Sequence, residues 1–245
     1  NVSEINGYTQ VYELHLPDYG DFDVDAVPYN VDNSNNVITG GITRIAYYFE
    51  LGNGFTKEWV WASMNAFTQD LKKIGVPTKS SGALWQMTVS NMNVETNSSK
   101  VTSGTGITTG NLEFWPYNYG TTGTISGIGG DDSTYDFNDY HSGSNNYASM
   151  QIHNYGKGET LFAYNCWGGH QSFSVDDVGI GSNTLVSSHD NRVNPDWTFS
   201  QNSDDFSIKN LEVWVMPTIP SVPEPRSIFL FLISLTLVII AKLKQ

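Results

Sequence analysis

Apolar and polar positions alternate with a period of two through most of this chain. Tyr8 to Leu16 places Tyr8, Tyr12, Leu14 and Leu16 on one face of an extended segment. Ile42 to Leu51, Trp59 to Met64, Leu84 to Val94 and Leu112 to Trp115 read the same way, as do Ala148 to His153, Thr160 to Tyr164 and Phe206 to Val215. Residues two apart share a face of a strand, and the β-branched and aromatic side chains that fill these segments suit a pleated surface. Clusters of Gly, Asn, Asp and Ser separate them at Asp32 to Asn36, Asn97 to Asn111, Gly120 to Ser133, Ser142 to Asn146 and Ser182 to Asn194. That is turn and loop chemistry. A short helix or helical turn is expected from Ala66 to Ile74, closed by Gly75 and Pro77. Many strands, long loops and almost no helix predict an all-β domain over 1–216: a two-sheet antiparallel β-sandwich of jelly-roll type. No internal repeat points to a propeller or solenoid.

The C-terminal end departs from this pattern. Ser227 to Ala241 carries no charge and has no amphipathic period. As a helix it would reach roughly 22 Å, or about 27 Å with Arg226 and Lys242 snorkelling, against a bilayer core of roughly 30 Å. We therefore expect a transmembrane helix within 226–245, with Lys242 and Lys244 on the cytoplasmic side. The competing reading, a terminal core helix or strand, calls for a hydrophobic period that the run lacks. Pro217, Pro220, Pro223 and Pro225 make residues 217–225 a stiff extended spacer between domain and span.

The order of Val222-Pro223-Glu224-Pro225, a short apolar span and a basic end resembles the PEP-CTERM sorting tail of exported bacterial proteins. The resemblance implies processing near Pro-Glu-Pro by an exosortase, a membrane transpeptidase-like enzyme, in a Gram-negative bacterium that makes an extracellular polysaccharide matrix. The protein would then be held in the membrane through its C-terminus, or reach the cell surface once the tail is processed. The basic end is two lysines here, where the family has an arginine cluster. The chain starts at Asn1 without an initiator Met or the basic and apolar segments of a signal peptide. A mature form, or the C-terminal part of something longer, is the expectation.

Charge narrows the partners. The net charge is −13, and setting aside Arg226, Lys242, Lys244 and Glu224 of the tail leaves about −15 on the body. Such a body repels nucleic acid and anionic lipid surfaces and tolerates cations. Charged residues are only 15% and aromatics 13%, which is too aromatic for a disordered chain. Cys166 is the only cysteine, so an intrachain disulfide and a cysteine-rich zinc site are both excluded.

No catalytic constellation emerges. A Gly-x-Ser-x-Gly elbow is missing. Gly130-Asp131-Asp132-Ser133 is similar to the Gly-Asp-Ser block of SGNH esterases, but it lies mid-chain in a Gly-rich loop with no helix after it. His15, His141, His153, His170 and His189 have no metal-site spacing and read as ordinary hydrogen-bonding residues. A sandwich lyase would need His, Tyr, Arg or Lys converging in one cleft. Two carboxylate groups invite Ca²⁺. Asp21, Asp23 and Asp25 alternate as a calcium loop can begin, but Ala26 stands where an EF-hand needs Gly. Asp131, Asp132, Asp136, Asn138 and Asp139 crowd oxygens whose mutual repulsion Ca²⁺ would offset. The competing readings are a strand's solvent face and a solvated acidic loop.

The stronger functional candidates are aromatic. Trp115, Tyr117 and Tyr119 in Phe114-Trp115-Pro116-Tyr117-Asn118-Tyr119, and Trp167 and His170 in Asn165-Cys166-Trp167-Gly168-Gly169-His170, each follow a strand and enter a Gly-rich loop. Ring faces stack on the C–H faces of sugars, while amides and carboxylates take the hydroxyls. The competing reading is that the tryptophans are core. Trp59, Trp61, Trp85 and Trp214 lie inside strand patterns, where core or sheet-face packing is expected, and Trp197 and Phe199 would close the sandwich edge. Ser149-Met150-Gln151-Ile152-His153, Gly179-Ile180-Gly181 and Asp196-Trp197-Thr198-Phe199 resemble accessory β-sandwich regions of exported carbohydrate-active proteins, including sialate O-acetylesterase-like ones. That resemblance implies attachment to glycan processing rather than catalysis. The chain is thus expected to be a non-catalytic glycan-binding or matrix-associated module. The alternatives are a calcium-stabilised structural surface protein and a carbohydrate esterase or lyase. An aromatic-lined concave face would discriminate in favour of glycan binding, and grouped carboxylates without such a face in favour of calcium.

Overall fold

The computed structural model describes residues 2–16, 27, 29–37, 40–76, 85–115, 149–157, 159–166, 175–181 and 206–218. Within them the chain is mostly β with almost no helix, in two antiparallel sheets. The strands are β1 (Thr9–His15), β2 (Val31–Asp32), β3 (Ile42–Asn53), β4 (Thr56–Asn65), β5 (Trp85–Val89), β6 (Met92–Thr96), β7 (Gly104–Ile107), β8 (Gly110–Trp115), β9 (Ser149–Asn154), β10 (Glu159–Cys166), β11 (Val175–Ile180) and β12 (Ile208–Pro217). A seven-stranded sheet runs β2-β1-β12-β3-β4-β6-β7 and a five-stranded sheet β11-β10-β9-β8-β5.

One core lies between the sheets. From the seven-stranded sheet it takes Ile45, Tyr47, Phe49 and Leu51 of β3, Val60, Ala62 and Met64 of β4, and Leu211, Val213 and Val215 of β12. From the other it takes Leu112, Phe114, Met150, Ile152, Phe162, Tyr164 and Val178. Phe49 stacks on Phe162 at 4.7 Å and 11°, and Tyr47 meets Phe114 edge-on at 5.7 Å, both favourable ring geometries. The buried Tyr47 hydroxyl donates to the Ile74 carbonyl at 3.0 Å, and burial pushes its phenol well above the usual range.

Three expectations change. The run Leu84 to Val94 is two strands, not one. Ser90 and Asn91 break it, with Asn91 at φ 53°, and the chain passes there from the five-stranded to the seven-stranded sheet. Asn tolerates that left-handed conformation better than most residues. Tyr8 does not share a face with Tyr12, because the β1–β12 register slips between Gln10 and Tyr12. The bulge puts Tyr12 in the shared core and Tyr8 against Trp61 on the far side of the sheet. The helical stretch from Ala66 to Ile74 shortens to a 3-10 turn, Leu71–Lys73, capped by the Asp70 carboxylate accepting from Lys72 N–H at 3.1 Å.

At the other end, Pro217 closes β12 opposite Ile42, and Thr218 N–H donates to the Gly41 carbonyl at 2.8 Å. Among the described residues no helix is long and apolar enough to cross a membrane. The expected span 226–245 and the motif Val222 to Pro225 lie outside them.

Candidate functional site

Alternation along the central strands gives the seven-stranded sheet a second aromatic face, turned away from the shared core. On β12, Asn210, Glu212 and Trp214 alternate with buried Leu211, Val213 and Val215. On β3, Arg44, Ala46, Tyr48 and Glu50 alternate with Ile45, Tyr47, Phe49 and Leu51. On β4, Lys57, Trp59, Trp61 and Ser63 alternate with Val60, Ala62 and Met64. The register sets Glu212 opposite Tyr48, which is opposite Trp61. It sets Asn210 opposite Glu50, which is opposite Trp59. Tyr48 and Trp59 stack at 6.0 Å and 29°, and Trp61 lies 6.2 Å from Trp214.

These side chains line a groove of about 490 Å³, within the range of small-ligand sites. Its floor is Tyr48, Trp59, Trp61 and Trp214; Glu50, Glu212, Asn210, Lys57 and Asn97 supply the polar groups, and Val2 and Ile5 form one wall. Trp61 is fully buried, while Tyr48, Trp59 and Trp214 are half-buried and present ring surface to the groove.

The wall is pinned by one carboxylate. Glu4 accepts from Trp61 Nε1 at 3.0 Å, Ser63 Oγ at 2.7 Å and Asn93 Nδ2 at 2.9 Å, and Arg44 stands 3.6 Å away. Burial alone would raise its pKa, but these hydrogen bonds and the guanidinium outweigh that and hold it below the usual carboxylate value. Glu95 adds a second anchor by accepting from the N–H groups of Ser3 and Glu4 at 2.7 and 2.9 Å. The segment before β1 is thereby fixed as part of the site.

Inside the groove the polar groups are oriented by their neighbours. Glu50 accepts from Tyr48 Oη at 2.9 Å and from Lys57 Nζ at 3.0 Å. Glu212 accepts from Trp214 Nε1 at 2.9 Å and Asn210 Nδ2 at 3.0 Å. Burial, and then the charges of Glu13 and Glu50, push the Glu212 carboxyl above its ordinary pKa. The Tyr48 phenol is raised by burial and by Glu50. Rigid rings flanked by fixed acceptors favour binding a ligand that offers C–H faces and hydrogen-bond donors.

The residues singled out from sequence fare differently. Trp59, Trp61 and Trp214 pack on a sheet face, and that face is the groove. Trp115 ends β8 opposite Ser149, but its side chain lies outside what the structure describes. Tyr117, Tyr119, Trp167 and His170 lie outside the described residues. So do the acidic groups Asp21, Asp23 and Asp25 and the cluster Asp131, Asp132, Asp136, Asn138 and Asp139. Among the described residues no three His, Cys, Asp or Glu side chains are grouped to hold a metal ion. His15 pairs with Glu13 at 3.0 Å. His153 is buried, bonds Thr160 Oγ1 at 3.1 Å, and is lowered by burial to about 3, hence neutral. Of the strand motifs, Met150, Ile152 and Ile180 are core.

Sequence reasoning missed Glu4, for which no local signal exists, and missed the groove, for which one does. Each groove tryptophan shares strand parity with charged or amide residues rather than with the β-branched core. Compared with known proteins, the chain matches no family model, no curated protein and no solved structure.

Proposed function

We propose that this chain is a non-catalytic glycan-binding module of β-sandwich architecture that uses the groove on the outer face of its seven-stranded sheet. The observation that carries the reading is the aromatic floor of Tyr48, Trp59 and Trp214 bordered by the oriented carboxylates Glu50 and Glu212. Trp is enriched among residues that dominate binding energy, and Trp59 and Trp214 are only partly buried on this face. The jelly-roll variant of the sandwich is less favoured. Strands β8 to β11 follow one another as neighbours in a single sheet, whereas a jelly roll moves between sheets more often.

The same proposal includes export and sorting by an exosortase through Val222 to Pro225, which would place the groove beside extracellular polysaccharide. Binding of the full chain to a glycan array in mild detergent tests it. The expected result is reproducible binding that Trp214→Ala and Trp59→Ala each weaken by roughly 30-fold, the scale of one interface hot spot. Binding indifferent to both variants would sink the groove as the site. A parallel array with a chelator tests the calcium-dependent alternative.

A further inference from the structure

The groove's polar chemistry is one-sided. Glu50 and Glu212 offer acceptors, and the Asn210 amide donates to Glu212 rather than to the groove. The cation that lines the groove, Lys57, already stands 3.0 Å from Glu50. Glu212 takes part in none of the ion pairs among the described residues. Instead it faces Glu13 directly across the β1–β12 ladder, and like charges so placed repel. Glu50 lies on its other side, one strand over. Among the described residues the groove sets two carboxylates beside an aromatic floor and one cation, which pairs with Glu50, so it is one positive charge short.

We propose that the groove takes a glycan bearing free ammonium groups, an amino sugar whose nitrogen is not acetylated, and that Glu212 with Glu50 seats the ammonium while Trp214 and Tyr48 stack on the sugar ring. This rests on the glycan-binding reading of the same groove. A charged donor makes the stronger hydrogen bond to carboxylate. An ammonium held near the Trp214 face gains cation–π attraction as well. It would also offset the repulsion Glu212 meets from Glu13 across the ladder. A uronate or sulfated glycan would add negative charge to a groove that already holds too much.

The test uses the full chain in mild detergent and matched hexamers of glucosamine and N-acetylglucosamine, in β-1,4 and β-1,6 linkage, titrated by calorimetry. The glucosamine hexamer of at least one linkage should bind about tenfold tighter than its acetylated counterpart, the scale of one charge-assisted contact. The preference should shrink with added salt. Glu212→Gln should reduce the preference to about twofold. Glu58→Gln, an acidic change away from the groove, should leave it intact. If Glu212→Gln misfolds, as near-ultraviolet circular dichroism would show, Glu50→Gln serves in its place. Equal binding of both hexamers, or tighter binding of the acetylated one, overturns the ammonium assignment while leaving a glycan groove. Loss of preference in both Glu212→Gln and Glu58→Gln also overturns it, as attraction to net negative charge. Binding of neither hexamer overturns it, and a glycan array on which Trp214→Ala changes nothing would remove the glycan reading too.

Discussion

The two faces of the seven-stranded sheet are both aromatic, yet they do opposite work. The inner face sets Tyr47 and Phe49 against Phe114 and Phe162, with the phenols of Tyr47 and Tyr12 each donating to a backbone carbonyl. The outer face sets Tyr48, Trp59, Trp61 and Trp214 among carboxylates, amides and a guanidinium. Aromatic content therefore does not distinguish core from site. What distinguishes them is whether the residues interleaved at the same parity are aliphatic or hydrogen-bonding.

The sharpest way to break the comparison is to truncate one ring on each face. Phe49→Ala should cost about 3–5 kcal/mol, because it leaves a cavity against Phe162 in a closed core, read as a lower denaturant midpoint. Trp214→Ala, half-exposed on the outer face, should cost only about 1–2 kcal/mol while abolishing most ligand affinity. Equal stability losses would mean that the outer face is core in all but name.

Glu4→Gln comes next, with an expected loss of about 1–3 kcal/mol from a carboxylate that accepts three side-chain hydrogen bonds. Its pKa is lowered in the folded protein, so this stability is present above the unfolded carboxylate pKa and is lost as pH falls through the folded one. Wild type and variant should converge in thermal stability as pH falls through the ordinary carboxylate range and below the folded Glu4 pKa. Parallel melting curves across that window would show that Glu4 does not pin the wall.

The smallest effect, and opposite in sign, belongs to Glu13→Gln. Glu212 has its pKa raised in the fold, facing Glu13 from β1, Glu50 and Tyr48 from β3 and, across the groove, Lys57 from β4. Ionising it therefore costs stability as pH rises through its folded value. Removing the opposing charge should raise stability by about 0.5 kcal/mol at neutral pH and by nothing in acid. A melting temperature unchanged at pH 7 would show that the repulsion is screened.

Much of the fold was legible because period-two patterning is a local property. Eight segments read from alternation all became strands, and the long runs of β3, β4 and β12 were located to within a few residues. The short β2, β7 and β11 were not seen. Gly104–Ile107 and Val175–Ile180 are too Gly- or Asp-rich to stand out from loops, and they form because a neighbour offers an unpaired edge. The β1 bulge was hidden as well, since a one-residue slip depends on the partner strand rather than on the sequence around it. The groove was half-legible. Trp214 between Glu212 and the spacer carried the parity signal, but sequence placed these tryptophans in the core or on a sheet face without saying which. Glu4 became visible only once β4 and β6 had brought Trp61, Ser63 and Asn93 together.

Strand β12 has a consequence for how the molecule comes into being. It is the last of the described strands, yet it sits between β1 and β3, pairing Thr9 with Val215 and Ile45 with the same residue. Until residues 208–217 leave the ribosome, β1 has no ladder to β3 and the larger sheet exists only as fragments. Closing it joins the two ends of the domain, the most non-local pairing the topology contains, and such pairings fold slowly. A nascent chain would therefore stay incomplete, with two unpaired strand edges exposed, until synthesis of the domain is nearly finished.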